Sequence, residues 1–243
     1  MKRRLFLATA FGGLAGCGLN NKVNEGGFHR VLEAAEPLDD VVIGTRGRAK
    51  LYTKADIDWN FRTNGFDTPS DSAYRRMVAD GFRSYRLIVD GEVERRGAFT
   101  LPELRAMQPL TQITRHDCVE GWSAIGEWSG VPLGTFLRMV GPTARARYVV
   151  FHCMDRSPDG VLYYESLDLH QAAHPQTLLA LDLNGKPLDP DHGAPVRLRI
   201  PTELGYKSAK WVHRIQLASS FAGIGDGKGG YWEDQGYEWY AGI

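Results

Sequence analysis

Only three of the 243 residues are cysteine, Cys17, Cys118 and Cys153. So few thiols exclude a disulfide-stapled scaffold and leave each one open to a specific chemical role. Charge of one sign is missing too: 29 Lys and Arg balance 29 Asp and Glu, so no bulk field draws the chain to nucleic acid or to an anionic membrane surface. No apolar run approaches the roughly 20 residues that cross a bilayer; the run from Leu5 to Ala15 is too short. There is no C-x-x-C-H haem attachment, and Lys228, set among glycines, fails the G-x-x-x-x-G-K-[ST] spacing of a phosphate loop. His170 and His174 stand four apart, as two zinc ligands can, but no third ligand lies near and Pro175 follows at once. A structural helix-end pair is the favoured reading.

What is present suits one sizeable core with many turns: 43% hydrophobic residues, 28 glycines and 12 prolines. Lys2-Arg3-Arg4 ahead of Leu5 to Ala15, ending Leu14-Ala15-Gly16-Cys17, looks like a twin-arginine signal running into a lipoprotein cleavage box. Residues 1–17 are thus read as an address, implying export in a folded state and a lipid anchor on Cys17, hence a periplasmic location. Residues 18–55 read as a polar tether with a short helix predicted over Phe28 to Glu36, and residues 56–243 as the catalytic domain.

Within that domain, alternation over Ser84 to Val93 predicts a strand turning at Asp90-Gly91. Thr100 and Glu103 form a capping box for a helix over Thr100 to Met107. A second helix is predicted over Val131 to Val140, starting at a proline, and a third over Leu167 to Ala173. The apolar run Tyr148 to Phe151 predicts a central strand that delivers His152, Cys153 and Asp155 to its end, with His152 read as a satisfied structural histidine. Trp211 to Leu217 reads as another strand, and the aromatic tail after Gly223 as a cover for the core or for a site.

The stretch around Cys118, T-R-H-D-C-V-E-G-W-S followed by W-S-G-V-P-L, places one thiol between glycine and tryptophans. That suits a soft metal ligand or a nucleophile, with Trp122 and Trp128 as walls against water. Three further runs stand out: D-W-N-F-R-T-N-G from Asp58, H-G-A-P-V-R from His192, and G-Y-K-S-A-K from Gly205. The C-V-E-G-W-S run resembles the molybdenum-ligating segment of the sulfite oxidase family, and in particular its bacterial periplasmic branch that reduces oxidised methionine in proteins. His192 to Arg197 and Gly205 to Lys210 resemble that family's pterin-holding segments.

The resemblance implies an α+β fold of mixed sheets with short helices, loop-rich, and a molybdenum-molybdopterin cofactor. It makes Cys118 the metal ligand and Tyr163, in L-Y-Y-E-S-L, the catalytic phenol, with Tyr164 as the competing choice. It places Asn60, Arg62, Thr63, Cys153, Asp155, His192, Arg197, Ser208, Ala209 and Lys210 around the cofactor. Arg197 and Gly193 suit a phosphate, through a rigid donor fork and close backbone approach respectively.

The implied reaction is two-electron oxygen-atom transfer. The arginines that sulfite oxidases place just after the cysteine are absent, which favours a small-molecule or protein-bound sulfoxide over sulfite. The chain ends before the dimerisation domain that sulfite oxidases append, so a separate partner, a membrane haem subunit or a soluble cytochrome, is expected to carry electrons. Sulfite oxidation is one alternative. A thiol enzyme with His116 as base to Cys118, or a lipoprotein binding module without a cofactor, are the others.

Overall fold

Apolar alternation organises residues 47–243, the part of the chain described by the computed structural model, into two five-stranded sheets. The address sequence, Cys17 and the helix predicted over Phe28 to Glu36 lie outside the described residues. The first sheet holds β1 (Arg86–Gly91), β2 (Gly97–Thr100), β5 (Tyr148–Arg156), β6 (Leu162–Asp168) and β10 (Val212–Ala218), in the order β2-β1-β10-β5-β6. Only the β1–β10 pairing is parallel. The second sheet runs β3 (Leu110–Asp117), β4 (Ser123–Pro132), β7 (Leu178–Leu183) and β8 (Lys186–Pro187), with β9 (Arg197–Arg199) also paired to β7. Five short helices, none longer than eight residues, complete the expected mixed-sheet α+β architecture: α1 (Ser72–Ala79), α2 (Leu101–Ala106), α3 (Leu133–Val140), α4 (Leu169–Ala173) and α5 (Tyr231–Asp234).

The run Tyr148 to Phe151 is central because it is apolar on both faces: Val149, Val150 and Phe151 are all fully buried between β10 and β6. Leu87, Val89, Ile215 and Leu217 extend the same core. A smaller core gathers Phe61, Trp128, Leu178, Ala180 and Ala194 on the second sheet. At about 25 cal/mol per Å² of apolar surface, side chains of this size supply most of what holds the sheets together.

Four expected boundaries shift. Asp90 and Gly91 remain in β1, paired to Gln216 and Leu217, because the neighbouring β10 extends the ladder past the turn signal. The strand from Tyr148 continues to Arg156, so His152 to Asp155 lie within it, at a register break opposite β6. The helix expected from Val131 starts at Leu133, since Gly130 to Pro132 pair with β7 first. The helix expected from Leu167 starts at Leu169, capped by Asp168. Residues 49 to 58, most of them read as tether, are tied to the second sheet: Tyr52 N–H donates to Ile113, Asp58 N–H to Ile125, and Gln176 Nε2 to the Ala49 carbonyl. The capping box on α2 forms as expected, with Glu103 N–H donating to Thr100 Oγ1 and Thr100 N–H to Glu103 Oε2.

Candidate active site

Cys118 is the first residue of the turn that joins β3 to β4. Its N–H donates to the Trp122 carbonyl at 2.8 Å and its carbonyl accepts from Gly121 N–H at 3.0 Å. Gly121 takes φ +85°, a left-handed conformation that glycine adopts without strain. Two backbone bonds therefore fix the position from which the thiol projects. Cys118 is buried and free, as is Cys153, so no disulfide joins them. Burial pushes the Cys118 thiol above its ordinary value, with the Glu120 charge adding to this and the Glu120 amide and Arg62 opposing it. A metal can displace such a proton, but the thiol is not a ready thiolate by itself.

Cys118 lines a cleft of about 120 Å³ together with Asn64, Asp155, Tyr163, Ser208 and Lys210. Gly205 and Ala209 complete its floor, and Trp232 and Tyr237, stacked with ring centroids 5.1 Å apart, stand at its side. Five of the expected site residues besides Cys118 thus meet at one place: Tyr163, Asp155, Ser208, Ala209 and Lys210. Asn64 Oδ1 and Asp155 Oδ1 are buried here with no partner. Burial pushes the Asp155 carboxyl up to about 7 against the pull of Lys210, so near neutrality it both donates and accepts. Tyr163 is buried and donates its hydroxyl to the Tyr206 carbonyl at 2.6 Å. Burial pushes its phenol well above the usual range, so it stays protonated.

Behind the cleft lies a set of buried cations with no carboxylate hydrogen-bonded to them. Arg197, 1% exposed, donates to the His192 and Ser208 carbonyls and leaves Nε unpaired. Arg199, fully buried, donates to Thr114 Oγ1 and the Arg115 and Ile200 carbonyls, again leaving Nε unpaired. Both guanidinium groups lie over Trp128, at 5.0 and 5.4 Å. Burial lowers Arg197 to about 10 and, with Arg197 beside it, Arg199 to about 9. Lys210 donates to the Phe66 and Asp191 carbonyls and lies over the Trp211 ring at 4.0 Å, and burial and the Arg197 charge push it down to about 7. Gly193, at φ +96°, allows this lysine in: a Cβ there would fall 2.9 Å from Lys210 Cβ. Burying cations without counter-charges is costly unless an anion arrives to pair with them.

Other expected residues stand outside the cleft. Asn60, Arg62 and Thr63 are exposed, and Arg62 lies over the Trp122 ring at 5.0 Å. His192 is held between Asp189 and the Phe61 carbonyl, at 2.8 and 2.9 Å, so it ties the N-terminal loop to the Arg197 segment. Cys153 is fully buried and lines a separate cavity of about 660 Å³ with His152 and Tyr164. Trp128 is core rather than wall, and Trp122 sits half-buried beside Arg62. His152 is bonded to Gln216 Oε1 at 2.9 Å, the structural role expected for it. Lys228 makes only a backbone bond to Asp234. The Cys118–His116 dyad is not formed, because neither His116 ring nitrogen has a partner within hydrogen-bond reach. Trp232 and Tyr237 belong to the aromatic tail read as a cover for the core or for a site, and they line the cleft; Arg199 had no distinguishing motif, and only its spacing two residues beyond Arg197 on one strand face offered a signal.

Among the described residues, no group of three His, Cys, Asp or Glu comes together as a protein-built metal cage. A metal at Cys118 would need a non-protein group for its remaining ligands, and the uncompensated cations suit one that carries a phosphate. Residues 75–222 match the oxidoreductase molybdopterin binding domain. The chain belongs to that family. A protein-methionine-sulfoxide reductase subunit, YedZ1, from Azospira oryzae is 49% identical over 194 residues, 80% of this chain and 68% of that protein. The protein-methionine-sulfoxide reductase catalytic subunit MsrP of Xanthomonas campestris pv. campestris is 42% identical over 139 residues, 53% of this chain and 43% of MsrP. The chain thus corresponds to under half the length of that relative. The crystal structure of the sulfane dehydrogenase SoxCD from Paracoccus pantotrophus shares the fold, with TM-score 0.51 and 24% identity over 56% of this chain and 39% of that one. Residues 75–222 thus form a molybdopterin-binding oxidoreductase domain, and the residues present at the cleft fit that group: a buried free thiol, unpaired polar atoms beside it, and cations with no carboxylate hydrogen-bonded to them.

Proposed function

We propose that the chain is the catalytic unit of an exported, lipid-anchored sulfoxide reductase in which Cys118 ligates molybdenum. One observation carries this reading: the buried free thiol of Cys118 opens into the same cleft as Asp155, Ser208 and Lys210, with Arg197 donating to the Ser208 carbonyl behind it. When bound, the cofactor would supply two-electron oxygen-atom-transfer chemistry, by which a sulfoxide, two electrons and two protons give a thioether and water. Arg197 and Lys210 would hold the anionic end of the pterin. Ser208 and Ala209 would supply backbone groups, and Asn64 and Asp155 the unpaired oxygens facing it. Tyr163, held by the Tyr206 carbonyl, would orient the substrate oxygen and exclude water.

The lining of the cleft supports a neutral substrate. Among its described residues Lys210 is the only cation, whereas Glu120 and Asp155 are acidic. Arg115 is exposed and paired to Asp117 at 2.8 Å, away from the thiol. An anion such as sulfite needs a paired cation to offset its desolvation. The names of the relatives support the same substrate class. The signal-like N-terminus supports folded export and an anchor on Cys17, and the electron donor would be a separate membrane haem subunit or cytochrome.

The test is metal and pterin analysis of the purified protein, then steady-state kinetics with a methyl sulfoxide and a reduced dye against sulfite and cytochrome. Stoichiometric molybdenum and faster sulfoxide reduction are expected, with turnover lost in Cys118→Ser because an alkoxide is a poor soft-metal ligand. Faster sulfite oxidation, or wild-type turnover by the serine variant, would overturn the reading.

A further inference from the structure

His116 is fully buried, and both of its ring nitrogens lack a partner. Buried imidazoles are almost always hydrogen-bonded, so two orphan nitrogens on one ring call for an account. Its surroundings do not supply one. Phe61 and Trp122 present rings at 6.0 and 5.7 Å. The charged groups that act on it are Arg199, Arg197 and Lys210, all cations. The imidazole edge also abuts Gly205 on the cleft floor: a Cβ on Gly205 would fall 2.4 Å from His116 Nε2 and 2.7 Å from Cε1. His116 therefore touches the Gly205 to Lys210 segment from within the Cys118 segment, within the field of Arg197 and Arg199, whose Nε atoms are also unpaired.

We propose that His116 is a cofactor-binding residue: it hydrogen-bonds the bound pterin group and, with Arg199, completes the cradle made by Arg197 and Lys210. The inference rests on the molybdopterin reading above. It explains why a polar ring is buried where a phenylalanine or methionine would cost less, and why glycine stands at position 205. Arg199 acts as a positioning residue, since its guanidinium bonds the Arg115 carbonyl and Thr114 and so holds β3, which carries His116, against β9.

The experiment compares wild type, His116→Met and Gly205→Ala, each prepared in pterin-competent cells and in cells that make no pterin. Pterin per chain is read by fluorescence after acid release, molybdenum by mass spectrometry, and pterin loss over time after gel filtration. His116→Met should lose pterin about tenfold faster, the worth of one hydrogen bond in a buried site, while its cofactor-free form melts at or above the wild-type cofactor-free temperature because an orphan polar group has been removed. Gly205→Ala should also shed pterin faster, since its methyl group presses on the imidazole. Wild-type pterin content and loss rate in His116→Met would overturn the assignment. So would a cofactor-free His116→Met that melts well below its wild-type counterpart, which would make the ring scaffold. A wild-type protein that acquires no pterin in competent cells would overturn the molybdopterin reading itself, and the assignment with it.

Discussion

Lys207 and Lys210 stand three residues apart in one short segment, and both side chains are buried, yet they are treated oppositely. Lys207 is fully buried between two carboxylates, Glu165 at 2.6 Å and Glu233 at 2.7 Å. Those charges keep its ammonium above its ordinary value despite burial. With one ammonium for two carboxyls, burial pushes Glu165 well above the usual carboxylate range, and the cation's counter-charges come from within the protein. Lys210 meets two carbonyls and the Trp211 ring, with no carboxylate hydrogen-bonded to it, and is pushed down to about 7. A paired buried lysine is scaffold, whereas an unpaired one beside Arg197 and Arg199 is the mark of a site whose counter-charge arrives with a ligand.

The contrast can be broken hardest at Lys207. Lys207→Met leaves two carboxyls facing each other without a cation, and removing one member of a buried ion cluster costs about 3–5 kcal/mol. Denaturant titration should show that loss equally in cofactor-loaded and cofactor-free protein. A loss confined to the loaded form would move Lys207 into the site. Lys210→Met should do the reverse: cofactor-free stability is unchanged or raised, while pterin occupancy falls by the about 1.5–3 kcal/mol of a charge-assisted contact. Arg197→Ala should lower occupancy further, because a two-pronged donor is lost. Unchanged pterin content in both variants would end the distinction between the two lysines.

A pH titration of cofactor-free protein sharpens the same comparison. Lys210 holds its proton up to about 7 when folded and up to its ordinary 10.5 when unfolded. Between those values the unfolded chain binds more protons, so stability should rise with pH, by at most about 1.4 kcal/mol per unit. Asp155 works in the opposite direction at lower pH: folded, it keeps a proton up to about 7, against an ordinary 3.8, so its contribution falls as pH rises through that window. A stability minimum near neutrality is expected, and Lys210→Met should remove most of the rise between pH 7 and about 9, leaving the rise that buried Arg199 and Arg197, at about 9 and about 10, add above it. Urea midpoints measured from pH 7 to about 9 would show an unaltered slope in the variant if Lys210 were not the group responsible.

How much of this was legible in the sequence differs by region. The two sheets were readable wherever burial is one- or two-sided along a run, as at Tyr148 to Phe151 and Trp211 to Leu217, because side-chain period and apolarity are local properties. The strand ends were not, since Gly130 to Pro132 and Asp90-Gly91 take their conformation from partners in β7 and β10. In the site, Cys118, Asp155 and Lys210 were found through motifs. His116 was visible only as a neighbour of Cys118, as its base in the alternative thiol-enzyme reading; the fold instead turns it toward Gly205, 89 positions away in the chain. Arg62 shows the same limit from the other side. Its segment was legible, but where its side chain points depends on Trp122.

Arg62 provides the mildest test. No arginine stands just after Cys118 in the chain, but Arg62 reaches the neighbourhood from a distant loop, lying over Trp122 at 5.0 Å and drawing the Cys118 thiol toward ionisation. It is exposed and lies outside the lining of the cleft. An exposed cation–π contact is worth about 0.5–1 kcal/mol, and its field is screened beyond roughly 10 Å at 0.1 M salt. For a neutral sulfoxide, Arg62→Ala should therefore change kcat/KM by no more than about fivefold, the worth of that lost contact. Any residual turnover of sulfite, which responds to long-range charge, should fall more at low salt than at high salt. Kinetics with both substrates at two ionic strengths measure this directly. A hundredfold loss of sulfoxide turnover would instead give Arg62 a part in the chemistry, and would mean that the cleft closes further around its substrate than the separation of Arg62 from its lining implies.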